Sequence, residues 1–145
     1  MKKRILFLCT GNSCRSQMAE ALACLLLPSL EAFSAGSSPA QRIDPLALEV
    51  MAELGADLSR RQPKGIDDLP AADFDLVVTL CDNARETCPV FPGGGMTVHR
   101  GFDDPPALAV NAGSREERLA VYRRVRDEIA LFLRAFPDEF PFLFR

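Results

Sequence analysis

Five cysteines, Cys9, Cys14, Cys24, Cys81 and Cys88, are the side chains best able to do covalent chemistry in this 145-residue sequence. An odd number of thiols in a chain long enough to bury a core without staples does not read as a disulfide framework. They are core thiols, metal ligands, or redox and nucleophilic groups. The first of them opens Cys9-Thr10-Gly11-Asn12-Ser13-Cys14-Arg15-Ser16, a C-x5-R-S pattern between a strand-like apolar run and a helix start. Spacing alone would be weak, and the placement makes the pattern specific. A loop wrapped round a helix N-terminus aims successive backbone N–H groups at one point and adds the positive end of the helix dipole. Such a nest binds a tetrahedral oxyanion and stabilises a thiolate. Arg15 can grip two oxyanion oxygens with its planar fork. Gly11 and Asn12 tolerate the left-handed backbone of a tight wrap, and the hydroxyls of Ser13 and Ser16 can donate to the Cys9 sulfur. Cys9 is the expected nucleophile, and Thr10, Gly11, Asn12, Ser13, Cys14, Arg15 and Ser16 form the expected oxyanion cradle.

The flanking sequence supplies elements to hold that loop. Ile5 to Cys9 is apolar throughout, as in a strand covered on both faces of a parallel sheet. After the loop, a helix carries Met18, Leu22, Leu25 and Leu26 and stops at Pro28. Leu30 to Ala35 reads as a strand, and Ile43 to Leu54 as a helix with Pro45 in its first turn and Gly55 past its end. Ala56 to Ala72 is polar and Pro-interrupted, a loop with a short helical turn near Ile66 to Leu69. Phe74 to Leu80 is a second apolar strand that runs into Cys81. Asp82 to Thr87 is polar, Pro89, Pro92 and Gly93-Gly94-Gly95 form a turn, and Met96 to His99 is a short strand. A loop at Asp103-Asp104-Pro105-Pro106 precedes the longest helix, which Ser114-Arg115-Glu116-Glu117 opens as a capping box. Its inward stripe is Val121, Tyr122, Val125, Ile129, Phe132 and Phe136, and Pro137 ends it. This order predicts one α/β domain over 1–145, a three-layer sandwich with a mostly parallel four-stranded sheet. Ligands bind such sheets beyond the carboxyl ends of the strands, where both strong strands reach a cysteine.

Composition narrows the function classes. Hydrophobic residues are 48% and charged residues 26%, which favours a globular fold over disorder. A net charge of −3 gives no pull toward nucleic acid or an anionic membrane. The apolar stretch Ala21 to Leu27 is too short to span a bilayer. Lys2-Lys3-Arg4 and the following Ile5 to Leu8 mimic a secretion signal but run into a Gly-Asn turn without a cleavage site. The expectation is a cytoplasmic protein, monomeric, with no cofactor.

The loop, followed far downstream by Asp104-Pro105 before the last long helix, resembles the low-molecular-weight protein tyrosine phosphatase fold over nearly the whole chain. That family uses an Asp followed by Pro as general acid, so the resemblance implies that role for Asp104. A phosphatase needs only Cys9, Arg15 and Asp104. This chain adds Thr79-Leu80-Cys81-Asp82-Asn83-Ala84-Arg85-Glu86-Thr87-Cys88-Pro89, which is similar to the thioredoxin-coupled arsenate reductases built on the same fold. Pro106-Ala107-Leu108 stand where phosphatases usually carry aromatic walls. The resemblance implies arsenate as substrate and thioredoxin as electron donor. Cys9 would attack arsenic, Cys81 would then attack Cys9, and Cys88 would attack Cys81. A phosphatase acting on phosphotyrosine or a small phosphoester is the alternative enzyme, and an oxyanion-binding module the alternative outside catalysis.

Other assignments compete for the same residues. A zinc site from Cys9, Cys14, Cys81 and Cys88 suffers from wide spacing in the second pair and from the charge of Arg15. Cys14 is expected to pack, Cys24 to lie in the core, and His99 to be a structural residue at a strand end. Reductases of the resembling family often hold a monovalent cation near the loop Asn. Asn12, Glu20 and Ser34 match its places, but Lys64 falls on the acidic one, with Asp67 and Asp68 nearby. A Lys64 ammonium in that place would replace the cation, so no metal is assigned. The aromatic tail Phe140 to Phe144 is expected to fold back on the domain.

Overall fold

A computed structural model describes residues 2–70, 73–91 and 95–145. Strand β1 (Arg4–Cys9) is its spine, with Ile5, Leu6, Phe7 and Leu8 each at most 2% exposed. Beside it lie β2 (Glu31–Gly36) and β3 (Leu76–Thr79), with β4 (Met96–His99) beyond β3. The order is β2-β1-β3-β4 and every pairing is parallel, so the four-stranded sheet is as expected and wholly parallel.

Alternation along β1 divides the core. Ile5 and Phe7 join the larger cluster with α1 (Arg15–Leu26), α2 (Pro45–Ala52) and α5 (Arg115–Arg134), while Leu6 and Leu8 meet Ala35, Phe74, Val77 and Ala84 on the other face. Among the described residues, that second face is covered by a 3₁₀ turn at Ile66–Asp68, the short helix α3 (Asp82–Thr87) and loops. The third layer is thin because the polar, Pro-interrupted stretch before β3 cannot form a long helix.

Several expectations need correction. Cys24 is exposed rather than core, and Leu25 is 48% exposed. Cys24 stands two residues from Leu22, about 200° round the helix, so burying Leu22 turns Cys24 outward. The polar run after Cys81, to which the sequence assigned no element, is helical, as α3. The Asp-Pro loop leads directly into α4 (Pro105–Ala109), with Asp104 at its N-cap. Pro137 does not end α5, which stops at Arg134; it sits in the first turn of α6 (Phe136–Glu139), where a missing N–H costs nothing. Part of the expected Pro/Gly turn, residues 92–94, lies outside the described residues.

Ser114 caps α5 as expected, its hydroxyl accepting from the Glu117 N–H at 3.1 Å. The tail packs back as expected: Phe140 and Leu143 are buried, and Phe136 meets Phe140 edge-on with centroids 4.9 Å apart. No described helix is long and apolar enough to cross a membrane.

Candidate active site

The end of β1, the start of α1 and the extension of β2 build one loop. Asn12 has φ 51°, the left-handed turn that the wrap requires, and its N–H donates to Cys9 Sγ at 3.3 Å. Ser16 Oγ lies 2.8 Å from the same sulfur. Residues after β2 strap the loop from outside: Ser37, Ser38 and Ala40 donate backbone N–H bonds to the carbonyls of Cys9, Thr10 and Gly11. This needs a very close approach at Gly36, where an added Cβ would lie 2.5 Å from the Thr10 carbonyl oxygen and 2.9 Å from Asn12 N. Sequence reasoning missed Gly36, although a glycine at a strand end is the available signal.

Arg15 opens α1 and reaches across the mouth of the loop. Its Nη1 donates to the Phe102 carbonyl at 3.0 Å, and its Nη2 lies 3.7 Å from Asp104 Oδ1. Cys81 caps α3, accepting from the Ala84 N–H at 3.4 Å, and its sulfur sits 3.3 Å from Thr10 Oγ1. Arg15, Cys81, Asp82, Phe102, Asp103 and Asp104 share a cleft of about 380 Å³. The fold thus gathers Arg15, Cys81 and Asp104 around one opening, with the buried Cys9 next in the chain to the Thr10 that touches Cys81. Cys88 stands apart, at the other end of α3, facing a second cleft of about 340 Å³ with Phe74, Arg85 and Phe91. Burial pushes its thiol upward from the ordinary range.

Cys14 turns away from this opening. It is 4% exposed, and burial first, then the negative charge of Asp44, holds its thiol well above the usual range. Its packing in the core agrees with the expectation. Asp44 was not foreseen: it donates its N–H to the Ser13 carbonyl, caps α2 through the Leu46 N–H, and accepts from Tyr122 Oη at 2.5 Å. One residue so ties the loop, through its backbone N–H, to α2 and α5, through its carboxylate. His99 lies at a strand end as expected, its Nδ1 2.8 Å from Thr79 Oγ1 and its Nε2 3.4 Å from Asp82 Oδ1. The four thiols of the zinc alternative do not converge, since Cys14 points into the core and Cys88 lies a helix length from Cys81.

Behind the loop, the residues do not fit a monovalent cation. Asn12 Oδ1 already accepts from Gln17 Nε2 and from the Lys64 backbone N–H, each at 2.9 Å. Ser34 Oγ donates to Glu20 Oε1 at 2.8 Å. The Lys64 ammonium fills the place itself, 3.4 Å from Ser34 Oγ and 3.6 Å from Glu20 Oε1, and Arg61 pairs with the same carboxylate. Asp67 and Asp68 are exposed, and Asp68 is spent on the Gly65 N–H.

Comparison with known proteins agrees with this geometry. The family model for low molecular weight phosphotyrosine protein phosphatase matches residues 4–139. An arsenate reductase of Halalkalibacterium halodurans is 46% identical over 138 residues, spanning 94% of this chain and 96% of that protein. One of Bacillus subtilis is 44% identical over 137 residues, spanning 94% and 96%. The arsenate reductase structure from Archaeoglobus fulgidus aligns with a TM-score of 0.72 at 33% identity, over 93% of this chain and 99% of that one. A thioredoxin-dependent arsenate reductase of Corynebacterium glutamicum aligns with a TM-score of 0.64 at 27% identity, over 92% and 61%.

Proposed function

The chain belongs to the low molecular weight phosphotyrosine protein phosphatase family, among its arsenate reductases, and from that premise we propose that Cys9, Cys81 and Cys88 reduce arsenate to arsenite by a three-thiol relay. Arsenate, a tetrahedral oxyanion, binds in the cradle of Thr10 to Ser16 under the Arg15 fork. The Cys9 thiolate attacks arsenic, and Asp104 protonates the departing oxygen. The Cys81 thiolate then attacks the Cys9 sulfur. An S–S bond forms, the S–As bond breaks, and its electron pair leaves with arsenic as As(III). Cys88 next attacks Cys81, which returns Cys9 as a thiolate and leaves a Cys81–Cys88 disulfide for the dithiol of thioredoxin to reduce.

The observation that carries this reading is the Cys81 sulfur at the loop, 3.3 Å from Thr10 Oγ1, with Cys88 on the far end of the same short helix. Seven residue steps along this helix separate the two by roughly 10 Å along the axis. A disulfide needs Cα atoms about 4.4–6.8 Å apart. Helix α3 must therefore unwind for the last transfer, and Ala84 is its only buried residue. Cys88 lies beside Val90, which is 98% exposed, so the new disulfide emerges at a surface that thioredoxin can meet.

The decisive experiment follows arsenate-dependent NADPH oxidation with thioredoxin and its reductase, beside p-nitrophenyl phosphate hydrolysis. Cys88→Ser should release one equivalent of arsenite and stall as a Cys9–Cys81 disulfide, and Cys81→Ser should release none. Non-reducing peptide mapping identifies the bridged pair. Parent-like turnover by both variants overturns the relay. Hydrolysis without arsenate turnover moves the assignment to a phosphatase, and neither activity to an oxyanion-binding module.

A further inference from the structure

Glu20, Arg61 and Lys64 form a half-hidden charge cluster behind the nucleophile loop that the relay does not use. The Glu20 side chain is 12% exposed, against 30% for Arg61 and 29% for Lys64. A carboxylate so placed is costly unless paired, and here it has two cations. One carboxylate against two cations leaves the cluster positive, on the side of the loop away from the cleft. Burial, then the neighbouring Arg61, lowers the Lys64 pKa, and the ammonium lies 3.6 Å from Glu20 Oε1.

The hydrogen bonds carry this charge to the sulfur in a fixed direction. An ionised Glu20 can only accept, so the Ser34 hydroxyl donates to it at 2.8 Å. Ser34 Oγ then accepts from Asn12 Nδ2 at 3.0 Å, and the second Asn12 amide proton goes to Ser16 Oγ at 2.7 Å. Ser16 is left to give its own proton to Cys9 Sγ, 2.8 Å away. Were Glu20 protonated, it would donate to Ser34 and the polarity of the chain would no longer be set.

We infer that Lys64, seconded by Arg61, is a positioning residue that supplies from within the chain the positive charge behind the loop, so that Glu20, Ser34 and Asn12 orient Ser16 onto the nucleophile without an external cation. This rests on Cys9 being the nucleophile, and it adds a reason why the cation place is closed. An acidic residue at position 64 would make the cluster negative and call for a bound cation; lysine reverses that sign.

The test reads Cys9 directly. Iodoacetamide alkylation at Cys9 is followed by peptide mass spectrometry across pH, which needs no arsenate and so separates failure here from failure of the relay. Lys64→Ala keeps the backbone bond to Asn12 but removes the ammonium, and should shift the alkylation profile about one unit upward, roughly tenfold slower at fixed pH. Lys64→Arg should restore the parent profile, and ethylammonium chloride should partly restore that of Lys64→Ala. Parent arsenate turnover should be the same in potassium and sodium chloride at equal ionic strength. A parent enzyme that is several-fold faster in potassium, or a Lys64→Ala profile matching the parent, overturns the inference. If Lys64→Ala fails to fold, the parent salt comparison and the Lys64→Arg profile decide it.

Discussion

Gly36→Ala tests how closely the chemistry depends on the strap behind the loop. The new methyl carbon would start 2.5 Å from the Thr10 carbonyl oxygen and 2.9 Å from Asn12 N, both backbone atoms. Side-chain Cβ atoms essentially never come within 3.0 Å of such neighbours, so β2 or the loop must move by about half an ångström. The movement cannot be absorbed locally. Ser37, Ser38 and Ala40 are bonded to three successive loop carbonyls, and Gly36 itself donates to the Lys64 carbonyl at 2.9 Å. Overpacking of this kind costs about 1–3 kcal/mol, a fall in Tm of roughly 3–10 °C for a chain of this size. Displacing a reacting group by about an ångström can cost as much as 10²-fold in rate. The expected outcome is a folded variant, a few degrees less stable, with arsenate turnover down by roughly ten- to a hundredfold. Gly65→Ala is the control. Gly65 bridges Gly36, but its added Cβ would meet nothing nearer than Pro39 Cγ at 3.4 Å, so rate and Tm should stay near the parent. Coupled arsenate turnover and thermal unfolding of both variants are the assays. A Gly36→Ala protein with parent rate and Tm would refute the claim that β2 sets the loop.

Further outcomes are expected elsewhere. Arg15→Lys keeps the charge but loses the fork that now reaches both the Phe102 carbonyl and Asp104; kcat should fall by roughly 10²–10³ with little change in Tm, and a fall under threefold would contradict the grip. Glu53 at the end of α2 is held down to about 2, first by the hydrogen bond from Arg123 and then by Arg126. A depressed carboxyl stabilises the fold above its unfolded value and loses that contribution as pH falls toward 2. Melts of Glu53→Gln between pH 7 and 2.5 should therefore lie below the parent at neutral pH and converge with it in acid, and a constant gap would count against the linkage. Partial exposure of Glu53 and Arg123 keeps the effect small.

Much of the site is written in local sequence. A strand, a tight turn and a helix start are short-range features, so the order Cys9 to Arg15 fixes a nest wherever the helix forms, and the apolar runs of β1 and β3 require a buried parallel sheet. The strand Met96–His99 and the Ser114 cap were legible for the same reason. What spacing could not give was anything settled by packing partners distant in the chain. The exposure of Cys24 depends on which face of α1 meets the sheet and α5. The close fit at Gly36 depends on β2 lying against β1, and the Asp44–Tyr122 tie joins residues 78 apart. Helix α3 has too few residues and too little apolar periodicity to announce itself, yet it decides how far Cys88 stands from Cys81. Lys64 could be matched to a position by counting. Only the folded chain, with Glu20, Ser34 and Arg61 converging from three separate segments, decides that its ammonium turns inward, because burying a carboxylate there demands a partner charge.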